Sequence, residues 1–219
     1  MTPSLSTSKI PAQRPAAGAS DDTWNELVAA MRAKFPGQVD ASGSTAIRVN
    51  ANSARVDADV VPCFDYRYYF SPTSWREGAM VIKKDGARIK NYSDLQLKNG
   101  RAKNNATSGF FKQSVRIMKR VENAMVDAKY HREVPSYLVE CLVYNVPNEI
   151  LLRDTWEATI KGVIYHIYSQ LQGDAEPANK FRWLEVNEGK YLFKGGQSWS
   201  RKDGRDFAYA AWNHLGLRA

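Results

Sequence analysis

Two carboxylates lie two residues apart in the segment RVDADVVPCF, residues 55–64. Side chains alternate along a strand, so an extended conformation of this apolar segment places Asp57 and Asp59 on one face. Carboxylate oxygens are the ligands that Mg²⁺ prefers, and an ion held in this way keeps positions open for water and phosphate. The alternative is an edge strand whose acids face water. Asp57 and Asp59 are therefore candidate metal ligands.

Positive charge is concentrated in residues 81–120, which contain eleven Lys and Arg residues and two Asp residues. This surplus of nine, eleven minus two, exceeds the net charge of +8 for the whole chain of 219 residues. A cationic surface favours polyanionic partners such as nucleotides or RNA. A solvated helix face is the alternative interpretation.

Helical periodicity divides residues 107–126 into two arcs. The apolar arc contains Phe110, Phe111, Val115, Ile117, Met118, Val121 and Met125. The polar arc carries Lys112, Arg116 and Lys119 beside Asn123. Three cations at this spacing repel one another, and a bound polyphosphate would relieve the repulsion. The alternative is a basic surface helix that is neutralised by counterions.

Ser136 and Tyr137 begin another predicted helix, which ends near Val146 before Pro147. Free N–H groups and the helix dipole favour anions at a helix start, so both residues are candidate phosphate ligands. The simpler interpretation of Ser136 is an ordinary N-cap.

Strand patterns come first along the chain and helical patterns later, which predicts an α+β fold. A helix capped by Asp21 or Asp22 is expected to reach Lys34. Strands are predicted over residues 45–50 and 55–64, and a hairpin is predicted around Asp85-Gly86. A polar loop over residues 93–106 then precedes helices over residues 107–126, 136–146 and 153–172. The last helix opens with a Ser200-x-x-Asp203 capping pattern and closes near Gly216.

Three regions follow from this order: a flexible lead-in over residues 1–20, a strand-rich lobe over residues 21–106 and a helical lobe over residues 107–219. The chain has no apolar run long enough for a membrane span and no signal-peptide pattern at its start. Cys63 and Cys141 lie in apolar segments, where a reduced and buried thiol is the commonest state. We therefore expect a cytoplasmic protein with no membrane association.

Six segments are informative when they are taken together: VDADVVPCFDYRYY, IKNYSDLQLKNGRAKNNAT, FFKQSVRIMKR, PSYLVECLVYNVPN, WLEVNEGKYLF and FAYAAW. They resemble the cGAS/DncV-like nucleotidyltransferases of bacteria, members of the polymerase-β-like superfamily with oligoadenylate synthetase. The resemblance begins near Asp22 and implies that residues 21–106 form a partial, palm-like nucleotidyltransferase lobe. It also implies synthesis of cyclic or linear oligonucleotides from ATP or GTP with Mg²⁺ or Mn²⁺. In this family such products signal phage infection to an effector or regulator encoded nearby.

The same resemblance suggests roles for individual residues. Asp59, immediately before V-V-P, matches the third catalytic acid of the family and would bind metal, with Asp57 a neighbouring candidate. Lys112 is the best match to the lysine that holds the donor triphosphate, and Lys119 is the second match. Ser136 and Tyr137 lie where the family places a serine or tyrosine near the nucleotide.

The sequence also departs from the family pattern. A Gly-Ser motif and a D-x-D pair normally precede the segment that Met1 begins, and we find no corresponding stretch. We therefore expect this chain alone to lack two of three catalytic acids and to be inactive, with an N-terminal segment missing in cis or in trans. A rival alignment uses Gly43-Ser44 with Asp57-x-Asp59, but Ser44 should then open a helix, and TAIRVN after it is strand-like.

A function of another class is also compatible with these residues. Retained cations without the acid pair are typical of a catalytically dead module that binds a nucleotide, RNA or a partner protein. Its binding surface would be the basic face of residues 81–120.

Overall fold

The computed structural model of the protein describes residues 19–173 and 182–218. They form two compact units, the first ending at Asn91 and the second beginning at Tyr92. The predicted lead-in over residues 1–20 falls almost wholly outside the described residues, and only Ala19 and Ser20 are placed, as the start of a helix. In the described ranges, no helix has the length and apolar character needed to cross a membrane.

The first unit contains one helix and two antiparallel sheets of three strands each. Its elements are α1 (Ala19–Lys34), β1 (Val39–Asp40), β2 (Ile47–Val49), β3 (Ala58–Val60), β4 (Cys63–Ser71), β5 (Ser74–Ile82) and β6 (Arg88–Asn91). Strands β1, β2 and β3 form one sheet in that order, and β4, β5 and β6 form the other. Because all pairs are antiparallel, short connections suffice between neighbouring strands.

A small core joins α1 to the first sheet. Trp24 and Val28 on α1 are buried with Ile47 of β2. Alternation along β2 sends Ile47 and Val49 to the buried side and Arg48 to the exposed side. The predicted helix ending at Lys34 is confirmed, although it begins at Ala19 and so includes residues 21 and 22 rather than starting after them.

The prediction of one strand over residues 55–64 is wrong. β3 ends at Val60, and β4 begins at Cys63 in the other sheet. Pro62 lies between them and has no N–H group to donate to a ladder, which favours a break at this point. Its carbonyl accepts a hydrogen bond from the N–H group of Ile82 at 3.1 Å.

The predicted hairpin around Asp85-Gly86 is confirmed as the connection between β5 and β6. Gly86 has a φ of 77°, a conformation that favours glycine. The longer hairpin of β4 and β5 was not predicted. Most of its residues are exposed, including Tyr69, Phe70 and Trp75, so the strands do not alternate between buried apolar and exposed polar residues.

The second unit is helical. Its elements are α2 (Ser93–Ala106), α3 (Phe110–Asp127), α4 (Ser136–Tyr144), α5 (Asn148–Leu151), α6 (Trp156–Gln170) and α7 (Arg201–His214). One large core contains apolar side chains from α3, α4, α6 and α7, together with Trp183, Val186 and Leu192 from the irregular segment before α7. The predicted division after residue 106 falls between α2 and α3, which both belong to this unit.

The prediction of a loop over residues 93–106 is wrong, because this segment is α2. The helix buries only Gly100 among its residues, so its sequence carries no apolar stripe. Distant polar contacts support it instead. Lys103 Nζ donates to the carbonyl of Val146 at 2.8 Å, and Asn99 Nδ2 donates to the carbonyl of Val186 at 3.0 Å. These partners cannot be read from local sequence.

The two predicted arcs of the helix now labelled α3 are confirmed. Its apolar arc contributes Phe111, Met118 and Met125 to the core, whereas Lys112 and Arg116 are exposed. Glu122 is a buried exception that accepts a hydrogen bond from the N–H group of Val134 at 3.1 Å.

Helix starts and cysteine environments require smaller corrections. Pro135 occupies the N-cap position of α4, so Ser136 is the first helical residue and not the N-cap. Thr107 ends α2, and its hydroxyl accepts a hydrogen bond from the N–H group of Phe111 at 3.1 Å. Cys141 is buried as expected, but Cys63 is exposed.

The predicted capping pattern at Ser200 and Asp203 is confirmed as a reciprocal capping box at the start of α7. The Asp203 carboxylate accepts a hydrogen bond from the N–H group of Ser200 at 2.7 Å and also pairs with Arg132. Partial burial acts to raise the pKa of Asp203, but the hydrogen bonds from Ser200 and the charge of Arg132 outweigh burial and lower it.

We expect Asp203→Ala to lower the free energy of unfolding at pH 7 by about 1 kcal/mol, the usual loss for a removed helix cap. Because folding lowers the pKa of Asp203, its ionised form stabilises the fold above the ordinary pKa of 3.8. This contribution is lost as the pH falls through the folded-state pKa. Urea unfolding at neutral and acidic pH measures the difference, with Asp206→Ala, which removes a carboxylate of α7 outside the capping box, as the control. A loss that is the same at both pH values would contradict this explanation.

Candidate functional site

Three carboxylates surround one arginine on the exposed side of the first sheet. Arg48 lies opposite Asp40 on one neighbouring strand and opposite Asp59 on the other. Its Nη2 atom donates to Asp57 Oδ2 at 2.5 Å, and the N–H group of Ala51 donates to Asp57 Oδ1 at 2.6 Å. This face of the sheet therefore carries a local excess of negative charge.

Asp57 and Asp59 differ in the hydrogen bonds and ion pairs that their carboxylates make with the protein. The hydrogen bond from Arg48, followed by that from Ala51, lowers the pKa of Asp57. Asp57 lies just before β3 rather than within it, and its charge is balanced by Arg48. Asp59 lies within β3, is exposed, and makes no hydrogen bond or ion pair within the described part of the chain. Both predicted ligands are exposed, but Asp59 is the one whose oxygens accept no hydrogen bond within the described part of the chain.

The described residues do not form a complete metal site. Across residues 19–173 and 182–218 there is no group of three or more His, Cys, Asp or Glu side chains that could hold a metal ion. Mg²⁺ requires oxygen ligands in near-octahedral geometry. Asp59 beside an Asp57 that Arg48 already engages does not meet this requirement, so no chemical step can be assigned to a metal held by these residues alone.

The rival motif at Gly43-Ser44 lacks the helix that it requires. Residues 43–45 form a bend, and β2 begins at Ile47. The carbonyl of Ser44 accepts a hydrogen bond from the N–H group of Lys84 at 2.8 Å. No row of free helical N–H groups follows Ser44 to receive a phosphate.

In the second unit, a cleft of about 280 Å³ lies where α2, α3 and α4 meet, and we call it the α3 cleft. It is lined by Ser93, Gln96, Leu97, Arg101, Lys112 and Glu140. Lys112 and Arg101 contribute positive charge from two different helices. Asn104 Oδ1 accepts a hydrogen bond from the backbone N–H group of Lys112 at 3.1 Å, which ties the start of α3 to α2.

The three cations predicted on α3 have different environments. Lys112 lines the α3 cleft, whereas Lys119 Nζ lies 3.9 Å from Oε2 of Glu140, which also lines it. Arg116 is exposed on α3 and is not among the lining residues. Lys112 is therefore the predicted cation most directly placed to contact a bound anion.

Ser136 and Tyr137 do not line the α3 cleft. Ser136 is exposed at the start of α4. The hydroxyl of Tyr137 donates to Glu185 Oε2 at 3.1 Å and accepts from Asn187 Nδ2 at 3.1 Å. Burial is the main cause that raises the pKa of Tyr137, and its hydroxyl therefore stays protonated within this internal network.

Arg101 was missed at the sequence level because its segment was interpreted as a loop. The available signal was weak. The sequence SDLQLKNGRAKNNA contains neither proline nor β-branched residues, which is compatible with a helix, but it also contains Gly100 and several Asn residues. Only the packing of α2 beside α3 places Arg101 and Lys112 around one cleft.

Comparison with known proteins links this helical unit to a family. Residues 98–216 match the cGAS/DncV-like nucleotidyltransferase C-terminal helical domain. The chain belongs to the cGAS/DncV-like nucleotidyltransferase family. Both Arg101 and Lys112 lie within the matched range of this nucleotidyltransferase domain.

Individual relatives agree with the family assignment. The chain is 36% identical over 198 residues to a cyclic dipyrimidine nucleotide synthase CdnE of Cecembia lonarensis, covering 89% of this chain and 65% of the relative. It is 33% identical over 195 residues to the Legionella pneumophila protein of the same name, covering 87% and 64%. The chain thus spans slightly less than two thirds of the length of these curated relatives.

A solved structure of a related nucleotidyltransferase agrees with the fold. The structure of Elizabethkingia meningoseptica CdnE cyclic dinucleotide synthase with GTP and Apcpp has a TM-score of 0.80 and 31% sequence identity. The match covers 90% of this chain and 72% of that one. The predicted α+β class and the resemblance to cGAS/DncV-like nucleotidyltransferases are confirmed.

Proposed function

We propose that this chain binds the triphosphate of ATP or GTP as part of a synthase of cyclic or linear oligonucleotide second messengers. The observation that carries the proposal is the α3 cleft, which is lined by Arg101 and Lys112, two cations within the range that matches the family's helical domain. Support comes from the Elizabethkingia meningoseptica relative, whose structure was determined with GTP and Apcpp. The proposed role is antiphage signalling in the cytoplasm, through an effector or regulator encoded nearby.

The two cations of the α3 cleft suit a polyphosphate for different reasons. Arg101 offers a planar set of N–H donors that can bind two phosphate oxygens together, and Lys112 offers a compact point charge. The charge of Lys119 is partly neutralised by Glu140. Lys119 would therefore contribute to phosphate binding mainly if its side chain moved from Glu140 towards the phosphate. Arg116 would act at longer range, because it lies outside the lining of the cleft.

In the proposed reaction, a hydroxyl oxygen of one nucleotide bonds to the α-phosphorus of another. The bond from that phosphorus to the β-phosphate bridge breaks, pyrophosphate leaves, and the proton of the hydroxyl passes to a base. We assign Asp59 as one carboxylate of the catalytic site, whose Mg²⁺ or Mn²⁺ ions require further carboxylates from outside the described residues, in cis or in trans. We therefore expect the 219-residue chain alone to bind nucleotide without synthesising product.

Two assays on the purified 219-residue chain test this proposal. Titration with ATP and GTP at several salt concentrations should give saturable binding that weakens as salt rises. Incubation with all four nucleoside triphosphates and Mg²⁺ or Mn²⁺ should give neither cyclic nor linear product. Absence of salt-dependent nucleotide binding would remove the proposal. Product formed by this chain alone would overturn the incomplete-site assignment and favour the Gly43-Ser44 alignment.

A catalytically dead module that binds RNA or a partner protein is the second candidate. It is favoured by the absence of a three-acid metal group among the residues that the structure describes. The basic surface proposed for this module is divided between the two units. Of the eleven basic residues in the 81–120 region, four precede Tyr92 and seven follow it. Titration with a short single-stranded RNA discriminates the candidates, since RNA binding much tighter than ATP binding would favour the second.

A further inference from the structure

A second cleft of about 510 Å³ lies in the helical unit beside α6, and we call it the α6 cleft. We propose that it binds a small ligand consisting of a flat aromatic ring with an attached anionic group. The residues on which the proposal rests are Arg153, Lys161, Gly162, Tyr165, His166 and Trp212. None of them lines the α3 cleft, so this inference goes beyond the proposed function and does not depend on it.

The charge of the α6 cleft selects an anion. Arg153 and Lys161 line the cleft, and no Asp or Glu is among its lining residues in the described part of the chain. The Arg153 guanidinium donates through Nη1 to the carbonyl of Ala158 at 3.2 Å, which leaves its other N–H groups for a ligand. A phosphate or carboxylate matches the planar donor set of an arginine.

Gly162 leaves the space that this arginine occupies. A Cβ atom at this position would lie 2.6 Å from Arg153 Nη1 and 2.9 Å from Arg153 Cζ. The guanidinium therefore lies directly against the backbone of α6, in space that any larger residue would occupy. The exposed Arg153 guanidinium therefore lies at the edge of the cleft, against the backbone of α6.

Aromatic rings supply a wall for a flat ligand. Tyr165 of α6 and Trp212 of α7 have ring centroids 6.4 Å apart, and Trp212 is partly buried against the core. Lys161 Nζ lies 5.7 Å from the centroid of the Trp212 ring. A ring stacked on Trp212 would thus place its anionic substituent close to Lys161.

His166 adds a polar group that is uncharged at neutral pH. Burial, and then the nearby positive charge of Lys103, lower the pKa of His166 below 6.5. Its ring is stacked with that of Trp183 at 22°. A neutral imidazole can donate or accept a hydrogen bond with a polar ring atom of a ligand.

The dimensions of the α6 cleft favour a small molecule over a nucleic acid. Its volume is in the range of about 300–1,000 Å³ that is typical of small-molecule sites. A single-stranded nucleic acid requires cations along a continuous groove and successive stacking platforms. Here the cations converge on one cleft whose aromatic wall suits one ring.

Binding measurements on the full 219-residue chain test the proposal. AMP and indole-3-acetate carry a ring with a phosphate or a carboxylate, and they distinguish a nucleotide from an aromatic acid as the source of the ligand. Adenosine carries the ring without the anionic group, and inorganic phosphate carries the anionic group without the ring. By calorimetry, at least one of the first two should bind, and adenosine and inorganic phosphate should each bind at least about 10-fold more weakly than the tighter of the two, because both parts contribute.

Two variants locate the binding. Gly162→Ala should displace Arg153 while favouring the helix, and Lys161→Ala should remove the second cation. Each should weaken binding by about 10-fold or more, the loss expected for one charge-assisted contact. Lys194→Ala, an exposed lysine outside the cleft, should leave binding unchanged. Unchanged affinity in both cleft variants, binding of neither ligand, or tighter binding of single-stranded RNA would overturn the proposal.

The same titrations in the Lys112→Glu variant separate the two clefts. This change alters the α3 cleft and touches none of the residues that line the α6 cleft. Binding to the α6 cleft should therefore persist in the variant. Loss of AMP and indole-3-acetate binding in this variant alone would contradict the assignment to the α6 cleft.

Discussion

Replacing Lys112 by glutamate should weaken ATP binding to the chain by at least about 50-fold, because a charge-assisted contact contributes about 1.5–3 kcal/mol and the new carboxylate also repels phosphate. Lys112 lines the α3 cleft with Arg101, so its charge acts at short range on an anion bound there. Calorimetric titration of both proteins at low salt measures the change. Since Lys112 is exposed, we expect the substitution to leave the fold intact.

Arg120→Glu is the matched control on the same helix. Arg120 is also exposed, but it does not line the α3 cleft. Its reversal makes the same change in net charge, so we expect ATP affinity to fall by less than about 3-fold, as for a distant and screened charge. Equal losses in the two variants would show that α3 acts only as a diffuse basic surface, which was the alternative interpretation of its cations.

Gly204→Val should lower the free energy of unfolding of the helical unit by about 3 kcal/mol, at the upper end of the usual overpacking range. Gly204 is buried on α7, which packs closely against the core at this position. A Cβ atom there would lie 2.9 Å from Leu171 Cδ1 and 3.1 Å from Leu142 Cδ2. Valine adds two further methyl groups to this crowded space. Chemical unfolding monitored by circular dichroism measures the loss.

Gly100→Ala provides a comparison at another buried helical glycine. A Cβ atom at Gly100 would lie 3.7 Å from Val186 Cγ1, which is ordinary van der Waals contact. Alanine there should stabilise the unit by about 0.5–1 kcal/mol through helix propensity. Gly204→Ala has the same gain in propensity but meets two close contacts. If both alanine variants were equally stabilising, the crowding at Gly204 would not have the energetic effect that we assign to it.

Features predicted correctly from the sequence depend on short-range interactions. The capping box joins Ser200 to Asp203, three positions apart, and the Asp85-Gly86 hairpin depends on a short turn between Lys83 and Ala87. The apolar arc of α3 was found because its period is that of one helix. In each case the decisive interactions lie within a few residues along the chain, or the pattern repeats along one element.

Features that the sequence did not reveal depend on distant partners. Helix α2 is held by hydrogen bonds from Lys103 to Val146 and from Asn99 to Val186. The strand predicted over residues 55–64 divides at Pro62 because its two halves join different sheets. Neither arrangement leaves a local periodic signal.

The candidate sites show the same limit. Lys112 was selected from its helix face and from the family resemblance, but Arg101 and Glu140 reach the α3 cleft from other helices. The strand pattern alone did not distinguish Asp57 from Asp59, and only the family resemblance favoured Asp59. Arg48 distinguishes them by binding Asp57 from a different strand, a pairing that spacing within residues 55–64 does not encode.

The most direct test of the proposed function is a crystal structure of the 219-residue chain with a non-hydrolysable ATP analogue. We expect the β- and γ-phosphate oxygens in the α3 cleft, about 3 Å from Lys112 Nζ and from the Arg101 guanidinium, as in charge-assisted hydrogen bonds. A triphosphate bound elsewhere, with both side chains still in solvent, would contradict the assignment of this cleft.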